Sequence, residues 1–280
     1  VIDQCSRSAE PDRLNEASGT KAPAPNRHQI EGERIEQLTL NAWPGLRQFV
    51  RDGWLIRLSE GFTKRANSVQ PLWGPPAETG RTLREKIGAC EEIYRNAGLP
   101  AVFKITPFAA SRHLDGLLQS FGYDLLEPSA VKSAALAGLP QPKTNDIGVE
   151  RSPSVRWMEL VSEWLDYSPE QTSAARRIME AAPYAKGFFT LFCEGKPVAC
   201  GMGVVEDRYV GLYEIVTNPE CRNRGFGEQL LLHILHWGAA CGADTGYLQV
   251  VQANAPAVRL YDKLGFRTVY AYWYRRRGCG

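Results

Sequence analysis

The densest chemistry in the sequence lies between positions 218 and 227, in Asn218-Pro219-Glu220-Cys221-Arg222-Asn223-Arg224-Gly225-Phe226-Gly227. A strand-like apolar run, Leu212 to Thr217, leads into it, and a helical pattern starts at Gly225. Glycines at a helix start let backbone N–H groups approach an anion with no Cβ in the way, and the helix dipole adds roughly half a positive charge there. Arg222 and Arg224 add charged donors suited to phosphate oxygens. The pattern predicts a pyrophosphate cradle. No Gly-Lys-Ser/Thr follows, so it is not a P-loop and Mg-nucleotide hydrolysis is disfavoured. Nor does the spacing fit the Gly-x-Gly-x-x-Gly of dinucleotide folds.

The elements around this loop follow from hydrophobic period. Helical patterns occupy 154–166 and 170–182, with Val155, Met158, Val161, Trp164 and Leu165 at helical spacing. Three strand-like runs follow, 187–193, 197–205 and 208–217, joined by the short turns Glu194-Gly195-Lys196 and Glu206-Asp207, which suggests an antiparallel meander. A helix over 225–241, a strand over 246–251, a helix over 254–264 and a last strand over 267–274 complete a mixed sheet with helices, α/β in character.

Earlier in the chain, Gly138, Pro140, Pro142, Asn145 and Gly148 mark 137–148 as a linker, because Pro and Gly there deny both helix and strand. Residues 1–34 show no helical or strand period and read as a disordered tail. The stretches between, 35–136 and 149–280, look related. Gly53-Trp54-Leu55-Ile56-Arg57-Leu58-Ser59-Glu60-Gly61 parallels Gly187-Phe188-Phe189-Thr190-Leu191-Phe192-Cys193-Glu194-Gly195. Likewise Leu117-Leu118-Gln119-Ser120-Phe121-Gly122-Tyr123 parallels Leu260-Tyr261-Asp262-Lys263-Leu264-Gly265-Phe266. Duplication is the reading adopted.

Composition sets the outer limits. At 44% hydrophobic residues the chain has material for real cores, which excludes a wholly disordered or fibrous protein. A formal charge of +2 gives no argument for a nucleic-acid partner. No apolar run approaches the ~20 residues of a spanning helix, so neither is a membrane expected. The seven cysteines are scattered, with no Cys-x-x-Cys, which argues for reduced thiols and against a zinc ribbon. Cytoplasm is the compartment expected.

Taken in order, these features resemble the acyl-CoA-binding core of the GNAT superfamily of N-acyltransferases. Strand Glu214-Ile215-Val216-Thr217 precedes Arg222-x-x-Gly225-x-Gly227, a helix and a strand follow, and then comes Asn254-x-x-Ala257-x-x-x-Tyr261-x-x-x-Gly265-Phe266. The resemblance covers most of 150–280. The first stretch, with Arg65-Ala66-Asn67-Ser68-Val69 after its strand, is similar to the degenerate N-terminal domain of tandem GNAT proteins. Its nearest counterpart of the loop, Leu72 to Arg81, lacks Arg-x-x-Gly-x-Gly, so one CoA per chain is expected.

What the resemblance implies is an acetyl-CoA-dependent N-acetyltransferase that passes the acetyl group directly to a primary amine, with no metal. Its partners would be acyl-CoA and an amine acceptor, expected to be a small molecule. Arg222, Asn223, Arg224, Gly225, Phe226 and Gly227 would hold the pyrophosphate, and Val216 and Thr217 would pair with pantetheine like an added strand. Tyr261 would bind the cofactor and protonate the departing thiolate, since a phenol near pKa 10 can supply a thiol near 8.5 when the proton must come from within the site. Asn254 would serve as helix N-cap, cofactor contact or both. Glu214 is the candidate base that deprotonates the amine, with its neighbour Tyr213 next in line. A non-catalytic acyl-CoA sensor or regulatory module is the alternative. A purely structural module whose loop binds nothing is a further one.

Other signals read more plainly. His233 and His236, three apart on a helix, have no third ligand and are assigned to the helix surface. Arg275-Arg276-Arg277 is expected to be a solvated charge run. Trp157, Trp164, Trp237 and Trp273 are expected in cores or groove walls.

Overall fold

The computed structural model describes residues 27–72, 80–109 and 111–277 of the chain. The first half runs α1 (Arg27–Ala42), β1 (Arg47–Arg51), β2 (Trp54–Leu58), β3 (Val69–Pro71), α2 (Gly80–Asn96), β4 (Val102–Ile105), α3 (Leu114–Ser120) and β5 (Tyr123–Ala135). The second runs β6 (Ile147–Glu150), α4 (Val155–Leu165), α5 (Pro169–Ala181), β7 (Ala185–Cys193), β8 (Lys196–Glu206) and β9 (Tyr209–Thr217). A 3-10 turn (Pro219–Cys221), α6 (Phe226–Ala240), β10 (Thr245–Val251), α7 (Ala255–Lys263) and β11 (Arg267–Arg277) follow.

Local chemistry sets these boundaries. Ser154 caps α4 by accepting from the Trp157 N–H, and Asp166 ends it in a left-handed conformation. Ser168 and Gln171 form a capping box on α5, with Pro169 in the first turn. The tight hairpins β1–β2 and β7–β8 turn on Asp52-Gly53 and Glu194-Gly195, all four residues at positive φ as the strand twist requires.

All eleven strands form one sheet in the order β1-β2-β3-β4-β11-β5-β10-β9-β8-β7-β6. Both halves repeat the same succession, three strands, helix, strand, helix, strand. The last strand of each half has crossed to the other. β5 lies against β10, β11 lies against β4, and the two pair antiparallel at the centre.

The expected α/β mixed sheet and its β7–β8–β9 meander are present, with four corrections. Ordered structure begins within α1 at Arg27, so the boundary at 34 falls inside a helix; residues 1–26 lie outside the described residues. The linker ends earlier than 148, because Ile147 already pairs with Leu191 in β6. The topology aligns β2 with β8, so the Gly53–Gly61 and Gly187–Gly195 segments are not equivalent strands, although Gly122 and Gly265 do end equivalent helices. Finally, β11 extends to Arg277 inside the sheet. Arg275 is buried there, bonded to Asp115 and to the Tyr123 carbonyl. Most of the Leu72 to Arg81 segment lies outside the described residues.

Three apolar cores stabilise the sheet. One joins α1, α4 and α5 to β8, β9 and β11, a second packs α6 and α7 on the second half, and a third packs α2 and α3 on the first. Trp157 and Trp164 lie in the first, while Trp237 and Trp273 flank the others. Among the described residues no helix is long and apolar enough to cross a membrane.

Candidate active site

Two departures from regular sheet create the site. Parallel pairing of β9 with β10 stops at Leu212 and Leu248, although the strands continue to Thr217 and Val251, so they splay into a V. In addition, the β8–β9 register slips between Cys200↔Val216 and Met202↔Tyr213, leaving Glu214 and Ile215 opposite Gly201. A Cβ on Gly201 would stand 2.6 Å from the Ile215 Cδ1, so a side chain there would make the Ile215 side chain shift. Glu214 takes φ 50° in the bulge, a costly conformation for a residue with a Cβ.

The V opens into a cleft of ≈ 500 Å³. Its inner walls are Leu212–Ile215 and Gln249–Val251, with Asn254, Ala257 and Tyr261 of the α7 region beside them. Tyr213 lies on this wall too, bonded to Tyr247 and stacked on Trp43, which makes it a rigid support. Val216 is buried, and Thr217 Oγ1 stands 3.3 Å from where a Cβ on Gly227 would be.

At the mouth of the V lies the loop from Arg222 to Gly227. Asn223 and Gly225 have φ of 63° and 83°, which turns successive N–H groups outward before α6 begins at Phe226. Among the described residues no hydrogen bond engages the backbone N–H groups from Arg222 to Glu228. Arg222 and Arg224 are exposed beside them. A side chain at Gly227 would be a tight fit, with the Leu260 Cδ2 3.2 Å and the Thr217 Oγ1 3.3 Å from the Cβ position. These residues fit a pyrophosphate: unpaired donors, a helix N-terminus, two guanidinium groups and close backbone access.

Tyr261 is buried against Phe266 at 6.0 Å between ring centres, and its hydroxyl has no hydrogen bond among the described residues. Burial pushes its pKa up to about 12, so the phenol is protonated at any physiological pH. Asn254 caps α7 through the Ala257 N–H at 3.3 Å and also lines the cleft. The Glu214 side chain is only 3% exposed. One carboxylate oxygen accepts from the Tyr167 hydroxyl at 2.6 Å and the other from Arg65 Nη2 at 3.3 Å.

The outer wall holds residues the sequence reading had not placed there: Lys64 and Arg65 from the first half, Glu127 of β5, Tyr167 after α4, and Tyr272 and Tyr274 of β11. Arg65 had a signal, since it opens the Arg-Ala-Asn-Ser run. In the structure Asn67 Oδ1 accepts from the Ser59 and Gly61 N–H groups, and Ser68 Oγ donates to the Lys64 carbonyl. That knot presents Arg65 to the cleft. Nothing in the local sequence marks Glu127, Tyr167, Tyr272 or Tyr274, because crossed strands and a distant helix end bring them in.

His233 and His236 bond to the carbonyls of Thr144 and Pro140, and Gln229 accepts from the Lys143 N–H. One face of α6 thus straps down the connecting segment. Among the described residues no group of His, Cys, Asp and Glu gathers to hold a metal.

Comparison with known proteins agrees with this geometry. Residues 31–275 match the family described as "Probable histone acetyltransferase Rv0428c C-terminal". The chain is 32% identical over 247 residues to the uncharacterized N-acetyltransferase YobR of Bacillus subtilis, covering 86% of this chain and 97% of that one. Among solved structures, a GCN5-related N-acetyltransferase from Kribbella flavida matches with TM-score 0.63 at 13% identity, over 90% of this chain and 96% of the other. A tandem GNAT protein from the clavulanic acid biosynthesis pathway matches with TM-score 0.60 at 14% identity, over 94% and 91%. A family match over nearly all the described residues, with a bulged V and a glycine-turned helix start behind it, makes the chain a GNAT N-acetyltransferase of the Rv0428c C-terminal family.

Proposed function

We propose that the chain uses acetyl-CoA as its cosubstrate and transfers the acetyl group directly to the primary amine of a small acceptor. The observation that carries this reading is the run of unengaged N–H groups from Arg222 to Glu228, opening into a V whose walls hold Tyr261 and Glu214. Bound acetyl-CoA supplies an acetyl group activated as a thioester. Arg222 to Gly227 hold its pyrophosphate, and Val216 and Thr217 offer a strand edge to its pantetheine.

Glu214 takes a proton from the acceptor ammonium, directly or through one water, so that nitrogen has a lone pair with which to attack the carbonyl carbon. As the C–N bond forms and the C–S bond breaks, Tyr261 gives its proton to the departing sulfur. The nitrogen then loses its second proton, the phenol is reprotonated, and one proton per turnover leaves to water. The first half roofs the acceptor side through Lys64 and Arg65, and the chain binds one CoA. The compartment is the cytoplasm, supported by the thiols of Cys90, Cys193, Cys200, Cys221 and Cys241 all being free.

A thermal shift with CoA and acetyl-CoA tests the reading. At 100 times its Kd a ligand stabilises the fold by about 2.7 kcal/mol, several degrees for a chain of this size. The wild type should shift, and Gly225→Asp and Arg222→Glu should not. No shift at millimolar ligand would end the transferase reading. A shift without turnover on any amine would make the chain a sensor.

A further inference from the structure

The outer wall of the cleft carries more charge than acetyl transfer needs. Arg65 reaches it from the first half with its guanidinium 4.9 Å from the Trp43 ring centre and 5.9 Å from that of Tyr213, a firm aromatic seat. Its backbone is held as well, because Arg57 Nη1 donates to the Arg65 carbonyl at 2.9 Å. Yet this fixed guanidinium makes a single side-chain hydrogen bond among the described residues, the one from Nη2 to Glu214, and it is long at 3.3 Å. The remaining donors of a rigid, partly exposed fork are uncommitted.

A second group nearby is also unspent. The Tyr274 hydroxyl is buried, with only the Tyr272 hydroxyl near it and no hydrogen bond of full geometry among the described residues. Tyr274 and Tyr272 both line the cleft, and although burial dominates and raises both phenols' pKa, the Arg65 charge acts on both in the opposite direction. A buried hydroxyl so poorly partnered, within the field of a half-used guanidinium, marks a place for a ligand acceptor.

Building on the transferase reading above, we propose that the acceptor is a small α-amino acid, its carboxylate bound by Arg65 and Tyr274 and its amine by Glu214. In an α-amino acid one carbon separates ammonium from carboxylate. The site offers a matching pair, Arg65 and Glu214, already in contact. Each satisfies the other weakly until the substrate brings its own complementary charges. The uncommitted donors of Arg65 then take the carboxylate, and Glu214 Oε1 is released to accept from the ammonium. The transfer follows as above: the C–N bond forms, the C–S bond breaks, Glu214 takes the amine proton and Tyr261 protonates the sulfur.

Size points the same way. The cleft must also receive the thioester end, and Lys64 pairs with Glu127 across its outer wall, which leaves room for a small molecule. A bare alkylamine or polyamine would leave Arg65 and Tyr274 without partners.

The test measures thiol release from acetyl-CoA by the full chain. The acceptors are the common α-amino acids, the amide of each, polyamines, and peptides with a free N-terminus. At least one amino acid should exceed its own amide in kcat/KM by roughly 10- to 100-fold, the range for a lost hydrogen bond to a charged group. Arg65→Gln should bring that ratio towards one and Arg65→Lys should restore part of it, both keeping the thermal shift with acetyl-CoA. General damage would lower acid and amide alike and leave the ratio unchanged. Equal turnover of acid and amide in the wild type would overturn the proposal. So would acetylation of peptides or polyamines but of no amino acid, a ratio untouched by Arg65→Gln, or acetyl-CoA binding with no acceptor in the panel used. If acetyl-CoA itself failed to bind, the transferase reading would fall first and this proposal with it.

Discussion

Tyr261 and Glu214 are held in the cleft in opposite ways. Glu214 is fixed by two donors from distant segments, Tyr167 and Arg65, while the Tyr261 hydroxyl touches no protein acceptor among the described residues and is protonated up to a pKa of about 12. A group so placed can give its proton to a leaving sulfur without first giving up a hydrogen bond to the protein. Tyr261→Phe should therefore lower kcat by roughly 10²- to 10⁴-fold while weakening acetyl-CoA binding far less, checked by steady-state kinetics beside calorimetric binding. The two loop glycines answer to different constraints. Gly225 has open space around it but sits at φ 83°, whereas Gly227 has an ordinary helical position with Leu260 against it. Gly225→Ala should cost about 1–2 kcal/mol of stability in urea unfolding through backbone strain alone. The local motifs were legible in the sequence because their chemistry is contiguous: a glycine-turned loop, an N-cap and a helix-end tyrosine. Arg65 and Tyr167 were not, since they reach Glu214 from 149 and 47 positions away.

The elements were also legible where one period dominates. The strand and helix limits expected across 154–266 lie within a few residues of those found, because β7, β8 and β9 are apolar runs between tight turns and α4 and α5 carry serine caps. β6 was hidden by the Gly and Pro that surround it. The exchange of β5 and β11 was hidden for a different reason, since a strand's partners are set by the whole sheet and no local pattern records them. We read 27–136 and 149–277 as two related units joined through that exchange. Neither then owns a complete sheet. Expressed alone, 149–280 would leave β10 without β5 and β11 without either neighbour, exposing strand edges that invite aggregation. It should be insoluble or unfolded by circular dichroism, and coexpression with 1–148 should return soluble, acetyl-CoA-binding protein. A soluble, cooperatively folded 149–280 fragment would show that the exchanged strand is dispensable.

At the scale of the whole molecule, buried phenols join the two halves. Tyr213 and Tyr247 from β9 and β10 and Tyr270, Tyr272 and Tyr274 from β11 share one core with Trp43 of the first half. Tyr94, Tyr213, Tyr247, Tyr261, Tyr270 and Tyr274 all have pKa values raised above the ordinary 10.0, burial being the largest cause for each. Above pH 10 the unfolded chain releases protons that the folded chain retains, so stability is undiminished below pH 10 and falls as pH rises through the native values. Tyr261 alone, displaced to about 12, accounts for a loss on the order of 2–3 kcal/mol between pH 10 and 12. Several such groups acting together should turn the decline into a single cooperative alkaline unfolding. Tyrosinate absorbance near 295 nm and far-ultraviolet circular dichroism, followed on one sample, should therefore change together. If most tyrosines ionised while the dichroism stayed native, the phenols would have to be open to water, and the sheet could not be joined by a buried aromatic core.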